Sequence, residues 1–204
     1  MLQEKSATKL KCTVRTGNPL PELAWFRGKK KMESETSEQF NEEKVKISTS
    51  SEITIVATRK DNGKKYRCKA VKPGEEEEYY QDLTKERKLT VHFLPTAVEI
   101  KVTPDKLVEN QVANLTCTTA PSNPATTIRW QYNNQPLPAD GSSSEAEAKF
   151  NGFTTTSFVL VTLTTGHVEG RVQCEARDQH NHSVHNQLTL DVEYSPQVAM
   201  DTIP

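Results

Sequence analysis

The sequence contains no apolar run of the roughly 18 residues that a membrane-spanning helix needs. Glycine is scarce, with 8 residues among 204, and none of them forms a glycine-rich phosphate-binding loop. No serine or cysteine nucleophile is accompanied by a placed histidine base, and no paired carboxylates lie in an apolar setting. These absences argue against an enzyme and give no reason to expect a cofactor.

Tryptophan and cysteine are also scarce, with 2 and 4 residues, and their positions reveal an internal repeat. The first half contains a cysteine, a tryptophan 13 residues later and a second cysteine 43 residues beyond it, and the second half repeats this order with spacings of 13 and 44. The two sets are Cys12, Trp25 and Cys68, and Cys117, Trp130 and Cys174. The repeat of about 105 residues predicts two domains of roughly 100 residues each.

The repeated frame resembles that of the immunoglobulin sandwich, in which a disulfide joins strands B and F of opposite sheets and a tryptophan of strand C packs against it. The resemblance implies the disulfides Cys12–Cys68 and Cys117–Cys174. It also implies an all-β fold of two tandem immunoglobulin-like β-sandwiches. The cysteine separations of 56 and 57 residues are short for a variable-type domain, so we expect the constant-like or intermediate set.

We expect one domain at residues 1–94, a second at 95–194, and a linker toward a further domain at 195–204. Only 11 residues precede Cys12, which leaves little room for a full strand A. The N-terminus also lacks the apolar run of a secretory signal. We therefore expect an excised piece, with neighbouring domains and the membrane anchor outside it.

The even, paired cysteines indicate an oxidising compartment, because a cytosolic chain would more often use such residues for metal binding or catalysis. We therefore expect an extracellular protein, the ectodomain of a single-pass plasma-membrane protein. In that setting the sequons that begin at Asn114 and Asn181 fit N-glycosylation acceptors, with unoccupied sequons as the alternative.

The strand pattern of the first domain determines which side chains share a face. Trp25 and Cys68 point into the core. Because successive side chains of a strand project to opposite faces, the residues that alternate with these inward positions lie on the outer face of the C–F–G sheet. They are Phe26, Arg67, Lys69 and Val71, with Tyr79 and Tyr80 on the F–G hairpin at the rim. Aromatic residues and arginine supply much of the energy of protein interfaces, so we predict that this face binds a protein. The alternative is that Phe26 is covered by the edge at Lys29–Met32 and that the tyrosines stabilise their own hairpin.

Other local patterns complete the expected first domain. Lys44–Ser48 and Glu52–Thr58 alternate as strands D and E, and the Ser and Thr residues between them favour a turn. Residues 29–41 have little strand pattern and predict an edge followed by a mobile connection. Strand G is expected at Arg87–Phe93. Tyr66, two residues before the second cysteine, has the position of the corner tyrosine that bonds back to the backbone.

Two motifs contain potential metal ligands, and each has a simpler interpretation. His180, His182 and His185 lie on the predicted F–G hairpin of the second domain without a nearby cysteine or fixed carboxylate, so a solvated loop is favoured. Glu75–Glu78 lacks the spaced ligands and the glycine turn of a calcium loop and is read as a charged hairpin tip. We expect no metal.

The net charge of −1 conceals opposite charges on the two domains. Residues 1–94 contain 20 Lys and Arg against 15 Asp and Glu, a net charge of +5, whereas residues 95–204 contain 6 against 12, a net charge of −6. This division predicts weak self-association that salt screens. A basic domain also makes heparan-type polysaccharide a candidate partner. Nucleic acid is not expected, because the lysines alternate with glutamates.

The second domain carries a more specific resemblance. The segments Pro124–Trp130, Ser157–Leu163 and Leu190–Val198 resemble the second immunoglobulin domain of nectin-like (synaptic) cell adhesion molecules, and nephrin-type proteins share much of the pattern. His167 and Val172 depart from it, since the family has an acidic residue and a tyrosine there, and nephrin-like proteins or an invertebrate-type adhesion receptor remain open. The resemblance implies a cell-adhesion ectodomain that recognises the same or a related immunoglobulin-superfamily protein, homophilically or heterophilically. The alternative is a ligand-binding or immune-recognition receptor.

Overall fold

A computed structural model describes residues 1–15, 17, 19–72, 74, 79–138, 143–167 and 169–196 of the chain. The chain forms two compact units, Met1–Phe93 and Leu94–Pro204. Each unit contains two facing β-sheets, which confirms the expected pair of immunoglobulin-like sandwiches. Within these described ranges, no helix is long and apolar enough to cross a membrane.

The first unit is built from short antiparallel strands in two sheets. Its strands are β1 (Leu2–Gln3), β2 (Ala7–Val14), β3 (Glu22–Arg27), β4 (Lys30–Met32), β5 (Glu35–Phe40), β6 (Lys46–Val56), β7 (Lys65–Val71), β8 (Tyr79–Lys88) and β9 (Val91–His92). One sheet has the order β4-β3-β7-β8 and the other the order β2-β6-β5, while β1 runs parallel to β9. A 3-10 helix at Arg59–Asp61 connects β6 to β7.

The core of the first unit lies between these sheets. Its buried members are Leu23, Trp25, Ile53, Ile55, Tyr66, Cys68, Ala70 and Leu89. The disulfide between Cys12 of β2 and Cys68 of β7 joins the facing sheets, with 6.4 Å between the Cα atoms. A bridge that closes a loop of this length contributes about 4 kcal/mol in the chain-entropy account.

The predicted strand D of the first unit and the turn after it are wrong, whereas the strand E predicted at Glu52–Thr58 lies largely within β6. The strand β6 runs without a break through Ser48–Ser51, where the Ser and Thr residues had favoured a turn, and all four of these residues are buried. Strand D is instead β5, in the segment expected to be a mobile connection. Two hydroxyls of this run find partners on neighbouring strands, whereas those of Thr49 and Ser51 have none in the described structure. Ser48 donates to Oε1 of Gln39 over 2.9 Å, and Thr13 and Ser50 bond to each other over 2.9 Å. Cross-strand bonding therefore keeps this polar run extended.

Strand G of the first unit also differs from the expectation. The strand expected at Arg87–Phe93 is the long β8, which begins at Tyr79, followed by the short β9. Because β8 lies at the edge of its sheet and carries mainly charged, exposed residues in its second half, its sequence shows no apolar alternation.

The second unit repeats the plan and adds a strand. Its strands are β10 (Val98–Thr103), β11 (Leu107–Val108), β12 (Val112–Thr119), β13 (Thr127–Tyr132), β14 (Gln135–Leu137), β15 (Ser143–Ala148), β16 (Gly152–Thr162), β17 (Arg171–Arg177), β18 (Ser183–Thr189) and β19 (Val192–Glu193). The sheets have the orders β10-β12-β16-β15 and β14-β13-β17-β18, and β11 runs parallel to β19. Short 3-10 helices lie at Lys149–Asn151 and Thr165–His167. The disulfide Cys117–Cys174 joins the two sheets beside the buried Trp130.

A polar corner precedes the second cysteine of each unit, and its chemistry differs between them. In the first unit Oδ2 of Asp61 accepts a 3.0 Å hydrogen bond from the backbone N–H of Thr58. In the second unit Nδ1 of His167 accepts a 3.0 Å bond from the backbone N–H of Thr164, so the imidazole performs the function of the carboxylate. The expectation that the corner tyrosine bonds to the backbone is corrected, because the hydroxyl of Tyr66 donates to the Asp61 carboxylate instead.

Candidate protein-binding face

The outer face of the β4-β3-β7-β8 sheet carries most of the residues predicted to bind a protein. Strand pairing aligns two of them with two neighbours in one row, with Phe26 between Lys31 and Arg67 and with Glu86 beyond Arg67. Lys69 lies two residues along β7 from Arg67 and therefore projects from the same side. The face thus places an aromatic side chain among three cations.

Phe26, Lys69 and Tyr79 form a compact group on this face, here called the Phe26 cluster. The rings of Phe26 and Tyr79 meet edge to face, with centroids 5.6 Å apart and planes at 81°. The ammonium of Lys69 lies 5.3 Å from the Phe26 centroid and 4.9 Å from the Tyr79 centroid, which are cation–π distances. All three side chains are half-buried. The cluster therefore offers a preorganised aromatic surface that bears a positive charge.

Arg67 borders the Phe26 cluster and is held by an ion pair across the sheet. Its Nε lies 3.4 Å from Oε2 of Glu86, whose Oε1 also lies 2.8 Å from Nζ of Lys65. Ion pairs with this degree of solvent exposure contribute only about 0–1 kcal/mol. An acidic group of a partner could therefore replace Glu86 at Arg67 at little cost.

Two residues predicted for this face contribute little to it. Val71 is only 7 % exposed and lies with Ala24 and Lys31 along a depression of about 440 Å³ beside the face. Tyr80 points the opposite way, because neighbouring residues of a strand project to opposite sides, and it packs against the core of the unit. The placement of Tyr80 on the rim is therefore wrong, whereas Tyr79 lies on the face.

Lys31 and Glu86 also belong to this face, although the sequence pattern did not predict them. Lys31 sits on the short edge strand β4, directly opposite Phe26. Glu86 lies just before Arg87–Phe93, the segment predicted to form strand G, so the predicted strands do not place it on the face. The sign of the charge alternates along Lys85, Glu86 and Arg87. Because no apolar residues alternate with these charges, the pattern does not predict a strand.

The turn between β17 and β18 places two histidines, His180 and His182, around the carboxylate of Asp178. Asp178 accepts 2.8 Å bonds from the backbone N–H groups of His180 and His182, and its Oδ2 lies 3.2 Å from Nδ1 of His182. Burial alone would raise the pKa of Asp178, but the hydrogen bonds from His182 and from these amides outweigh it and hold the pKa below its usual value. The interactions make Asp178 the centre of a closed turn.

No group of three or more His, Cys, Asp or Glu side chains is placed to hold a metal ion within the part of the chain that the structure describes. His180 and His182 belong to the Asp178 turn and are exposed, whereas His185 lies on β18. The charged hairpin tip at Glu75–Glu78 lies outside the described residues.

The two sequons differ in accessibility. Asn181 lies at the exposed tip of the β17–β18 turn with a left-handed φ of 65°. Asn114 lies within β12, between β10 and β16, and is half-buried, with its side-chain Oδ1 buried. Of the two, Asn181 is the one whose amide nitrogen lies on an open turn.

Two tandem sandwiches, each with a disulfide between its sheets and a tryptophan packed beside it, define a chain of immunoglobulin-like domains. Residues 1–78 and 97–185 match the family described as CD80-like C2-set immunoglobulin domain. The chain belongs to this family, and the expected constant-like set is confirmed.

The sequence is similar to receptors and adhesion proteins. It is 25% identical to B-cell receptor CD22 of Mus musculus over 99% of this chain, 26% identical to nephrin of Homo sapiens over 96%, and 29% identical to cell adhesion molecule 4 of Homo sapiens over 88%. The chain spans only 21%, 16% and 43% of the lengths of these relatives. The resemblance to nectin-like and nephrin-type proteins is thereby confirmed.

Solved structures show the same fold. The full ectodomain of mouse nectin-like molecule 4, with domains Ig1–Ig3, aligns with a TM-score of 0.63 and 24% identity over 98% of this chain and 63% of that one. The structure of Rst D1-D2 aligns with a TM-score of 0.58 and 16% identity over 94% of both chains. None of these comparisons supports a heparan-type polysaccharide as a partner.

Proposed function

We propose that the chain is part of the extracellular region of a cell-surface adhesion protein and that it binds another protein through the face that carries the Phe26 cluster. In this proposal residues 1–94 and 95–194 are the two domains, 195–204 lead toward a further domain, and the membrane anchor lies elsewhere in the protein. The similarity to cell adhesion molecule 4 supports the adhesion class.

The observation that carries the proposal is the contact of Lys69 with both Phe26 and Tyr79. Interfaces concentrate their binding energy in a few central aromatic and arginine residues, each worth about 2 kcal/mol or more. The Phe26 cluster supplies two aromatic rings, and Arg67 lies in the adjoining position of the row. Since the cluster is already packed, it loses little side-chain entropy on binding.

The partner that fits this face has an apolar patch flanked by acidic groups. Lys31, Arg67 and Lys69 surround the aromatic rings, so a complementary surface places carboxylates around an apolar centre. We propose the same or a related immunoglobulin-superfamily protein as this partner, with homophilic and heterophilic binding as the two modes.

The experiment compares the chain with a double variant, Phe26→Ala and Lys69→Glu. A matched control variant, Leu160→Ala and Lys101→Glu, makes the same chemical changes on exposed residues of the second unit. We expect beads coated with the parent chain to aggregate, or to bind a bead-bound related ectodomain, and the first variant to lose at least about tenfold in affinity. Equal binding by the parent and the first variant, with both folded, would remove this face from consideration.

A second candidate function is a receptor for a ligand. The similarity to B-cell receptor CD22 over 99% of the chain favours it. Sedimentation of the two-domain chain separates the candidates, because an adhesion protein of the homophilic type associates as its concentration rises. A strict monomer that neither self-associates nor binds related ectodomains favours the receptor.

We also propose that Asn181 carries an N-glycan, since its sequon lies on an exposed turn. Asn114 is the second proposed acceptor, although its half-buried position on β12 favours lower occupancy. Secretion from a eukaryotic host, followed by mass mapping of Asn181→Gln and Asn114→Gln variants, tests both. If the mass of the Asn181→Gln variant differs from the parent only by the added methylene group, the first assignment is contradicted.

A further inference from the structure

Apolar side chains of the second unit gather on the outer face of one sheet. Successive residues of β12 and β16 alternate between the core and the outer side of the β10-β12-β16-β15 sheet. Three outward side chains are apolar: Val112 is 54 % exposed, Leu160 is 52 % exposed, and Phe158 is half-buried. These three residues are here called the Leu160 patch. The other outward side chains of the two strands are Asn114, Thr116, Thr118, Thr154, Thr156 and Thr162.

Asn114, the first residue of a sequon, lies at the centre of the Leu160 patch. It pairs directly with Leu160 across the strands. Val112 lies two residues before it on β12 and projects from the same side. Thr116, two residues after it, pairs with Phe158, so Phe158 is a diagonal neighbour of Asn114. Apolar side chains therefore flank Asn114 on three sides.

The amide of Asn114 lies low against the sheet. Its Oδ1 is buried and has no hydrogen-bond partner in the described structure. Asn181, in contrast, is exposed on a turn. A group attached to Asn114 therefore begins against the Leu160 patch, whereas a group attached to Asn181 begins in solvent.

The first unit shows a different chemistry at the same position. A shift of 105 residues places Lys9 of β2 on Asn114 of β12. Nζ of Lys9 lies 2.6 Å from Oε1 of Glu52 on the neighbouring strand, and no sequon begins at Lys9. The cross-strand neighbours of Asn114 are instead Leu160 and Phe158. The face is thus charged where the sequon is missing and apolar where the sequon is present.

We propose that an N-glycan on Asn114 folds back onto the Leu160 patch and covers it in the native protein. The first sugar of the glycan packs the C–H face of its ring on Leu160 and Phe158, and its hydroxyls face the threonines of β12 and β16. This inference rests on the assignment of Asn114 as an acceptor made above, and it gives that glycan a structural function. It does not depend on the protein-binding face of the first unit.

A glycan suits this face because it removes apolar area from water without adding a new apolar surface. Burying apolar area is favourable in proportion to the area covered. The outer side of the sugar remains polar and solvated, since N-glycans are bulky, solubilising groups. A protein partner is the competing occupant, and a glycan that begins at the centre of the patch would block its approach.

The test compares two samples of the full chain that differ in the Asn114 glycan alone. Both carry Asn181→Gln, which removes the other sequon. One sample is secreted from a eukaryotic host, where mass mapping first establishes the occupancy of Asn114, and the other is made in the oxidising periplasm of a bacterial host that adds no N-glycan. A second pair of samples also carries Leu160→Thr, which keeps a β-branched side chain but removes most of the apolar area.

Hydrogen exchange of the β12 and β16 amides measures the effect of the glycan on local stability. We expect the glycan to slow this exchange about three- to tenfold in the chain with Leu160 and less than about twofold in the chain with Leu160→Thr. Nuclear Overhauser contacts should also join protons of the first sugar to the Leu160 methyl groups and the Phe158 ring. Equal slowing in both pairs would overturn the proposal, because the glycan would then act without contacting the patch.

A second pair of variants tests the same point without the bacterial host. Thr116→Ala removes the sequon, whereas Thr116→Ser keeps it, and both chains are secreted from the eukaryotic host. We expect the serine variant to retain the slow exchange of β16 and the alanine variant to lose it. Equal exchange in the two variants, with Asn114 occupied in the serine variant, would overturn the proposal.

The outcomes separate this inference from the proposals on which it rests. An unoccupied Asn114 in the secreted chain would overturn the acceptor assignment and the glycan cover together, but not the assignment of Asn181 or the protein-binding face. An occupied Asn114 whose sugar makes no contact with Leu160 or Phe158 would overturn the glycan cover alone. Protection of β16 that rises with the concentration of the glycosylated chain would assign the patch to a second copy and would also overturn it.

Discussion

The hydroxyl of Tyr66 donates a 2.8 Å hydrogen bond to Oδ1 of Asp61 in the core of the first unit. Both residues are buried, at 1 % and 3 % exposure. The same Oδ1 lies 2.8 Å from Nη2 of Arg27, and Oδ2 accepts from the backbone and hydroxyl of Thr58. Burial would raise the pKa of Asp61, but the bonds from Thr58 and Tyr66 and the charge of Arg27 hold it below its usual value. Asp61 is therefore a charged anchor between β3, the corner and β7.

Replacing Tyr66 by Phe should lower the free energy of unfolding of the first unit by about 1–3 kcal/mol, because a hydrogen bond to a charged, buried group is lost. Hydrogen exchange of the β7 amides measures the change separately from the second unit. Tyr132→Phe is the control, since that hydroxyl donates to the carbonyl oxygen of Gly166 at an exposed site and its loss should affect the second unit alone. A Tyr66→Phe variant as stable as the parent would contradict the anchoring function of Asp61.

The cysteine and tryptophan spacing was enough to predict the two sandwiches, because a disulfide and a tryptophan with these separations satisfy one packing arrangement. It also placed Tyr66 in the core. The hydrogen-bond partner of Tyr66 could not be predicted from the spacing. The carboxylate of Asp61 lies five residues away, and only the fold of the corner brings it to the Tyr66 hydroxyl.

Strand boundaries depended on interactions that a local pattern does not contain. Ser48–Ser51 favour a turn in isolation, yet pairing with β2 and β5 buries them and supplies partners to the hydroxyls of Ser48 and Ser50. For the candidate face, alternation placed Phe26, Arg67 and Lys69 together. The contact with Tyr79 and the inward direction of Tyr80 depended on where β8 begins, which the charged sequence of the hairpin did not reveal.

The first unit should lose stability at alkaline pH through Tyr66. Burial, followed by the hydrogen bond to Asp61, raises the pKa of Tyr66 to about 12, whereas a tyrosine in the unfolded chain titrates near 10. The folded state thus holds the proton more tightly, so this stabilisation is fully present below about pH 10 and is lost as the pH rises through about 12. We expect the difference in unfolding free energy between the parent and Tyr66→Phe to shrink across that interval. A difference independent of pH would show that Tyr66 titrates normally.

The two disulfides should differ in their reaction with a reductant under native conditions. Cys12 lines a cavity of about 440 Å³ and is half-buried, whereas Cys117 and Cys174 are both 0 % exposed. Because thiol–disulfide exchange requires access to a sulfur atom, mild dithiothreitol should reduce Cys12–Cys68 first. Alkylation at timed intervals and peptide mapping measure the order. Reduction of Cys117–Cys174 before Cys12–Cys68 would contradict the greater accessibility of Cys12.

Any association driven by the opposite charges of the two halves should weaken with salt. The net charges of +5 and −6 act between exposed groups, whose individual pairs contribute about 0–1 kcal/mol. Raising the ionic strength from about 10 mM to about 150 mM shortens the screening length from about 30 Å to about 8 Å. Sedimentation equilibrium should therefore show a weak dimer at low salt that dissociates at the higher value. Dimerisation unaffected by salt would indicate an apolar contact instead.

Gly170 should tolerate no side chain, because it lies against the ring of Tyr132 at the corner of the second unit. A Cβ atom at this position would come within 2.1 Å of the Tyr132 hydroxyl and 2.4 Å of its ring. Displacing the ring would break its 2.7 Å bond to Gly166 and its contact with His167, whose ring centroid lies 4.9 Å away. We expect Gly170→Ala to destabilise the second unit by about 1–3 kcal/mol, as overpacking commonly does.

Gly166→Ala is the matched control, because its Cβ would meet only the Thr164 hydroxyl at an ordinary 3.5 Å, and it should stay within about 0.5 kcal/mol of the parent. Denaturant unfolding followed by hydrogen exchange of the β17 amides measures both variants, and equal stability of the two would show that Tyr132 moves aside freely.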